Sequence, residues 1–292
     1  MTGARSKPAP RRISSCARRN VGESVRLTRL PRGWTDRGTM LKGLKVSSRD
    51  NLTSRVYDQL RIGLMSGSFW PGQRLRVREV AAAMEVSDTP VREAMMQLVR
   101  EGGLEMRSGQ TINVVKLSRA RYLELREIRF LLEGMATEKA APLATSAMID
   151  ELELRHAQLI EAERTADYEA ATLTNYQFHF LVYRASGVED LVSILESIWL
   201  RHGPMLKLLY PHAPPAYPVR HQHLNVIDAL RSKDAALARH AILADIIEGG
   251  KAMIGLLEQI DDGRAAIVEN GDGVVELQFG LTAGQPRKTT AA

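Results

Sequence analysis

Two groups of residues in this 292-residue chain have types and spacings that can do chemistry. Arg78, Ser87, Thr89 and Arg92 fall in one short stretch, and Ser108-Gly109-Gln110 follows it. An arginine can grip guanine O6 and N7 with two bonds, which discriminates bases by about 1–3 kcal/mol. Small hydroxyls and free backbone N–H groups at a helix start hold phosphates. The polar tip Ser108-Gly109-Gln110 suits a minor-groove or phosphate contact. Taken singly, Arg78 or Arg92 would as readily solvate a helix surface; the reading rests on the set. In the second group, Asn175 and His179 stand four apart in a segment of helical period, so both side chains point the same way. His223 and Asp245 lie on two later segments, 22 residues apart. A lone His is more often a hydrogen-bonded core or surface residue than a ligand. That reading is taken for His156, His202, His212, His221 and His240.

The elements that must position the first group are legible. Val56, Leu60 and Leu64 recur at i, i+4 and i+8, which predicts a helix over 52–65 ended by Ser66-Gly67. Val77 to Met84 reads as a short helix broken by Glu85-Val86-Ser87. Ser87 then serves as N-cap of a third helix to about Glu101, with Pro90 tolerated in its first turn and Val91, Met95, Leu98 and Val99 facing inward. Leu104-Glu105-Met106 and Thr111 to Val115 read as a hairpin about Arg107 to Gln110. Helix, short helix, tight turn, helix, hairpin is the order of a winged helix-turn-helix.

From Arg119 to about residue 260 the periodicity is helical, in six segments: about 119–141, 146–165, 168–186, 188–209, 217–231 and 234–260. The fold class expected is mainly α: a winged helix-turn-helix over 46–118 and an all-helical bundle over 119–260. Residues 1–45 read as a disordered basic arm and 261–292 as a flexible C-terminal tail, in which Val274 to Phe279 could pair as a strand.

Composition bounds the function. The chain carries 40 Lys+Arg against 34 Asp+Glu, 44 % hydrophobic residues and one Cys. A largely disordered chain, a disulfide scaffold and a Cys-based zinc site are excluded. No run of about 18 apolar residues is present to span a membrane, and no apolar stretch follows the basic start as a secretory signal requires. The lone Cys fits a reducing, cytoplasmic compartment. Of the basic residues, 12 lie in the first 45, beside only 2 acidic ones, so the alkaline isoelectric point is weak evidence for a nucleic-acid partner. That arm also suits a transit peptide, an upstream extension before Met40, or a tether with non-specific DNA affinity.

The stretch Leu60-Arg61…Gly67…Pro71-Gly72…Leu75…Val80-Ala81…Val86-Ser87-Asp88-Thr89-Pro90-Val91-Arg92-Glu93-Ala94…Leu98…Glu101-Gly102 resembles the DNA-binding domain of GntR-family transcriptional regulators. The helical segment resembles the FCD effector-binding domain of the FadR subfamily, and its six helices are more like the VanR-type branch. The resemblance implies a homodimer on a palindromic operator, as repressor or activator, controlled by a small organic acid. Arg78, Thr89 and Arg92 keep the family's contact positions. Asp88 departs from them, since the family has Arg after the turn Ser. An Asp there suits the helix dipole but faces phosphates and cannot grip guanine.

The same resemblance implies a divalent metal in the bundle. The family's Asp-x-x-x-His falls on Asn175 and His179, its next His on His223, and its third His on Asp245. The set Asn, His, His, Asp remains a competent nitrogen and oxygen donor group for zinc, manganese or nickel, with harder ions relatively favoured. The competing reading is a polar pocket in which Asp245 hydrogen-bonds the histidines directly. Arg129 matches a family Arg that pairs with the effector carboxylate, against an intrahelical pair with Glu133. The alternative function is a metal-dependent hydrolase. Against it, the chain has no Gly-x-Ser-x-Gly, no phosphate-cradling glycine loop and no His-Glu-x-x-His, and no general base beside an open metal position is evident.

Overall fold

The computed structural model describes residues 52–107, 111–270 and 274–280. The basic arm, and Ser108, Gly109 and Gln110 of the expected wing tip, lie outside the described residues. The first helix, α1 (Leu52–Met65), buries Val56, Leu60 and Leu64, the stripe that the periodicity marks. It is followed by α2 (Val77–Met84) and α3 (Asp88–Arg100). Three short strands, β1 (Arg74–Leu75), β2 (Leu104–Arg107) and β3 (Thr111–Val114), form an antiparallel sheet in the order β1-β3-β2. Leu104 pairs with Val114 and Leu75 with Ile112, so the sheet's buried side closes over the helices.

Two local details differ from expectation. Ser87 stands at the N-cap of α3 with extended backbone, but its hydroxyl makes no capping bond. Val99 is only half-buried, because Val91, Ala94, Met95 and Leu98 already fill the inward face. The turn between α2 and α3 runs through Glu85 at φ 55°, in the left-handed region that favours glycine.

The helical part comprises α4 (Arg119–Ala140), a 3-10 turn (Ala141–Leu143), α5 (Ser146–Arg164), α6 (Tyr168–Arg184), α7 (Glu189–Leu206), α8 (Gln222–Arg231), α9 (Ala235–Gly249) and α10 (Lys251–Asp261). Ser118, Thr145, Asp167 and Asp234 cap α4, α5, α6 and α9 by accepting from backbone N–H groups. The six segments become seven α-helices. The expected last one is interrupted at Gly250, where a β-carbon would lie 2.8 Å from the Ile246 carbonyl oxygen and 3.0 Å from the Tyr122 hydroxyl. The count of six on which the VanR-type placement rested is corrected accordingly. The fifth segment also starts later than expected, at Gln222 rather than 217.

The flexible tail is a second correction. Within 261–292, β4 (Ala265–Glu269) and β5 (Val275–Phe279) form an antiparallel hairpin, in which Ile267 pairs with Leu277. Ala265 and Leu277 are buried, and β-branched Ile267, Val268 and Val275 suit a pleated surface. The Asn-Gly-Asp-Gly between the runs is a turn composition.

The two helical regions meet at α1 and α7. Gly203 lies directly on the backbone of Leu64 and Met65, and Arg61 pairs with Glu196 at 2.5 Å. Among the described residues no helix is long and apolar enough to cross a membrane.

Candidate metal centre and nucleic-acid interface

The bundle holds a partly open cavity of about 50 Å³. Arg129 of α4, Asn175 and His179 of α6, Trp199 and His202 of α7, and Asp245 of α9 all line it. Asn175 and His179 reach it together because they stand one helical turn apart on the same face. His223 of α8 is wholly buried behind His179, with ring centroids 5.2 Å apart, and stacks on Phe178 at 3.7 Å and 4°.

One buried carboxylate organises one wall. Glu133 accepts from Arg129 Nε at 2.6 Å and Nη2 at 3.2 Å, from the Tyr183 hydroxyl at 2.6 Å and from Trp199 Nε1 at 2.8 Å. Burial alone would raise Glu133, but the Arg129 charge and its hydrogen bonds outweigh it and hold the carboxyl below its ordinary value. The remaining guanidinium nitrogen, Nη1, donates to His202 Nε2 at 3.0 Å. Arg129 therefore makes the i, i+4 pair with Glu133, and both side chains are buried. It does so while keeping one edge on the cavity wall.

The hydrogen bonds also set the tautomer of His179. Because the Tyr183 hydroxyl donates to Glu133, its oxygen accepts from His179 Nδ1 at 2.9 Å. The proton is thus on Nδ1, and Nε2 carries a lone pair toward Asp245 Oδ2, 3.4 Å away. A ligating histidine whose other nitrogen donates to a fixed partner is the usual arrangement around a metal. His223 Nε2 lies 3.9 Å from Asp245 Oδ1. Both separations exceed a good hydrogen bond. They are close to the roughly 3.0–3.6 Å between neighbouring ligands, given metal–ligand bonds of about 2.0–2.2 Å. The ligand atoms of His179, His223 and Asp245 all lie within 4.8 Å of one another.

Neither ring nitrogen of His223 has a hydrogen-bond partner, and leaving such a buried group unmade costs about 1–3 kcal/mol. These residues fit a divalent cation. Burial lowers His179 to about 4, although the Glu133 charge works the other way, and it drives His223 well below its ordinary value. Both rings are therefore neutral donors at pH 7. Burial raises Asp245 to about 7, against a hydrogen bond from Tyr217 that lowers it.

Sequence reasoning brought Asn175, His179, Asp245 and Arg129 to this place and missed Glu133 as the hub, with Tyr183, Trp199, His202 and Tyr217. Helical period marks those residues as core and gives no hint that their polar atoms converge. His202 is the satisfied core His expected. His221 is satisfied too, its Nδ1 accepting from the His223 backbone N–H, whereas the buried Nδ1 of His156 has no partner; with His223 these two form a second group whose ligand atoms lie within 4.8 Å of one another. The visible signal was the His-x-His of His221 and His223.

On the winged helix-turn-helix, Arg78, Ser87, Thr89 and Arg92 are exposed on α2 and at the start of α3. Asp88 Oδ2 stands 4.0 Å from Arg78 Nε, so the departure residue faces a cation of the neighbouring helix. As an exposed pair it is worth little to stability. Its effect is to offset one positive charge on this face.

Residues 52–114 match the family model described as bacterial regulatory proteins, gntR family, and residues 124–247 match the FCD domain. The HTH-type transcriptional regulator McbR of Escherichia coli strain K12 is 32 % identical over 207 residues, covering 70 % of this chain and 93 % of the relative. The HTH-type transcriptional repressor RspR of the same strain is 24 % identical over 212 residues, 72 % of this chain and 92 % of its own. Among solved structures, that of E. coli McbR/YncC superposes with a TM-score of 0.64 at 30 % identity, over 72 % of this chain and 98 % of that one. These domains and relatives are those of transcriptional regulators, not of enzymes, and the hydrolase alternative finds no support.

Proposed function

Because the chain belongs to the GntR family of bacterial regulatory proteins and is a transcriptional regulator with an FCD domain, we propose that its bundle cavity binds a small organic acid that controls operator binding. In this reading Asn175, His179, His223 and Asp245 hold a divalent cation such as zinc, manganese or nickel. That ion supplies a Lewis-acidic seat for a carboxylate oxygen. The Nη1 side of Arg129, which also donates to His202, orients the second oxygen, its charge already offset by Glu133.

The observation that carries the proposal is the position of α7. Trp199, His202 and Leu206 line the cavity, while Gly203, on the same helix, lies against the backbone of Leu64 and Met65 in α1. At about 50 Å³ the cavity has room for a cation and a carboxylate head. A larger acid presses on the cavity walls, of which α7 is one. Occupancy and the seating of α1 are thereby one equilibrium, biased by whichever state the acid prefers.

On the DNA side, the chain acts as a homodimer on a palindromic double-stranded operator. Arg92 and Arg78 reach base edges or backbone, and Ser87 and Thr89 reach phosphates. The domain limits 46–118 and 119–260 are part of this proposal. Selection of bound duplexes from a random library by the full chain tests the DNA arm, and an enriched two-fold-symmetric site is expected. Calorimetry with a panel of small mono- and dicarboxylic acids, followed by gel retardation on that site, tests the effector arm. Failure to enrich any sequence would overturn the first, and acids that bind without changing retardation would overturn the second.

A further inference from the structure

His223 stands between two donor groups. On one side are His179 and Asp245; on the other are His156 of α5 and His221 at the N-terminus of α8. The four imidazoles form a continuous row: ring centroids are 4.9 Å apart for His156 and His221, 4.4 Å for His221 and His223, and 5.2 Å for His223 and His179.

We propose that His156, His221 and His223 form a second cation site, made only of imidazoles, that takes a borderline transition ion such as zinc, nickel or cobalt(II). Three observations support it. The three ligand atoms lie within 4.8 Å of one another, the reach of a single ion. Two of the three rings carry buried nitrogens without a partner: Nδ1 of His156, and both nitrogens of His223. The His223 ring is held in place by its stack on Phe178, so its donor direction is fixed by packing.

The chemistry of the two groups differs. Imidazole suits zinc, nickel, copper and iron, whereas carboxylate and carbonyl oxygens suit manganese and magnesium. The inner group offers a carboxylate and an amide oxygen with its two rings; the outer one offers none. A neutral His223 ring serves one ion at a time, so the two positions exclude one another and the chain binds one ion per protomer.

Two features oppose the outer site, and each is limited. His221 Nδ1 accepts from the backbone N–H of His223 at 3.1 Å, so ligation exchanges one helix cap for a metal bond. The cationic Arg220 is near His156, but its guanidinium is held by Asp228 at 2.7 Å and Asn225 at 3.3 Å.

The test uses the full chain, stripped with chelator and titrated separately with zinc, manganese and cobalt(II). His156→Ala is the main variant, because that half-buried side chain belongs to the outer group alone, whereas His223 is common to both. Zinc affinity should fall at least tenfold in His156→Ala, with manganese affinity within twofold of the parent. Asp245→Asn should reverse the pattern, weakening manganese and preserving the cobalt(II) visible spectrum of a site with few ligands. His223→Ala should lose both, with circular dichroism confirming that each variant is folded. Zinc affinity unchanged in His156→Ala overturns the outer site and leaves the inner reading intact. Zinc lost equally in His156→Ala and Asp245→Asn would mean one merged site, which also overturns it. If the parent binds neither ion, both metal readings fall.

Discussion

A β-carbon placed on Gly203 would stand 2.2 Å from the carbonyl oxygen of Leu64, so α7 and α1 meet backbone to backbone. Met65 Cα would be 2.6 Å away and its oxygen 2.6 Å. The neighbours are main chain, so no side chain can swing aside. Leu206, one turn further along α7, packs on Gly67 just beyond α1 and also lines the cavity.

Gly203→Ala is therefore expected to destabilise the protein by about 1–3 kcal/mol through overpacking, and to loosen the response of DNA binding to effector. Gly255→Ala is the control. It lies in α10 with nothing within 4 Å of the added carbon, and should stabilise by about 0.5–1 kcal/mol. Denaturant midpoints of the two variants check the contrast; equal shifts in the same direction would be inconsistent with the seam.

Removing Glu133 should be far more costly than breaking a surface pair. Glu133→Ala leaves Arg129, 6 % exposed at its side chain, without its counter-charge, which costs about 3–5 kcal/mol for a buried ion pair. The double change Arg129→Met with Glu133→Leu should recover part of that loss. Urea unfolding of the single and double variants measures the difference.

Cation binding at the inner group should be limited by Asp245 rather than by the histidines. Burial raises Asp245 to about 7 and lowers His179 to about 4. Below pH 7 the ion must displace a proton from Asp245, so affinity should fall about tenfold per pH unit from 7 downward. For folding the signs are opposite: the raised acid contributes stability that is lost as pH rises through about 7, and the depressed His contributes stability that is lost as pH falls through about 4. Between about pH 4 and 6.5 the folded pair keeps its proton on Asp245 and the unfolded pair keeps one on His179. Metal-free stability should then be flat for this pair, while Asp245→Asn should lose stability as pH falls from 6.5. Thermal melts across that range, with and without metal, give the answer.

Arg92→Ala should lower specific DNA affinity by about 1–3 kcal/mol and leave non-specific affinity nearly unchanged. Asp88→Ala should strengthen binding and steepen its salt dependence, because Arg78 then presents its whole charge to phosphate. Retardation at several stated salt concentrations separates the two, and an Asp88→Ala protein with the parent salt slope would show that Arg78 does not reach the duplex.

The sequence carried the winged helix-turn-helix almost residue for residue. Its helices are amphipathic, and the stripes Val56-Leu60-Leu64 and Val91-Met95-Leu98 announce themselves by period. That Asn175, His179 and Asp245 line one cavity, with His223 beside them, was legible through spacing and resemblance. The Glu133 hub was not, because Arg129, Tyr183 and Trp199 meet there from three helices, and helix packing is invisible to a period. The terminal hairpin was half legible. Val274 to Phe279 reads as a strand, but Ala265-Ala266 at the start of its partner reads equally well as a continuing helix.

The four hydrogen bonds on Glu133 divide the cavity into halves of unequal tolerance. Arg129 and Trp199 stand on a wall where each polar group answers to the same carboxylate, so one substitution strands the others. The apolar lining residues, Met205, Leu209, Ile246 and Met253, offer only shape. Volume-conserving swaps among those buried apolar residues would reshape the proposed acid site at modest cost, whereas the polar residues tied to Glu133 can change only as a unit.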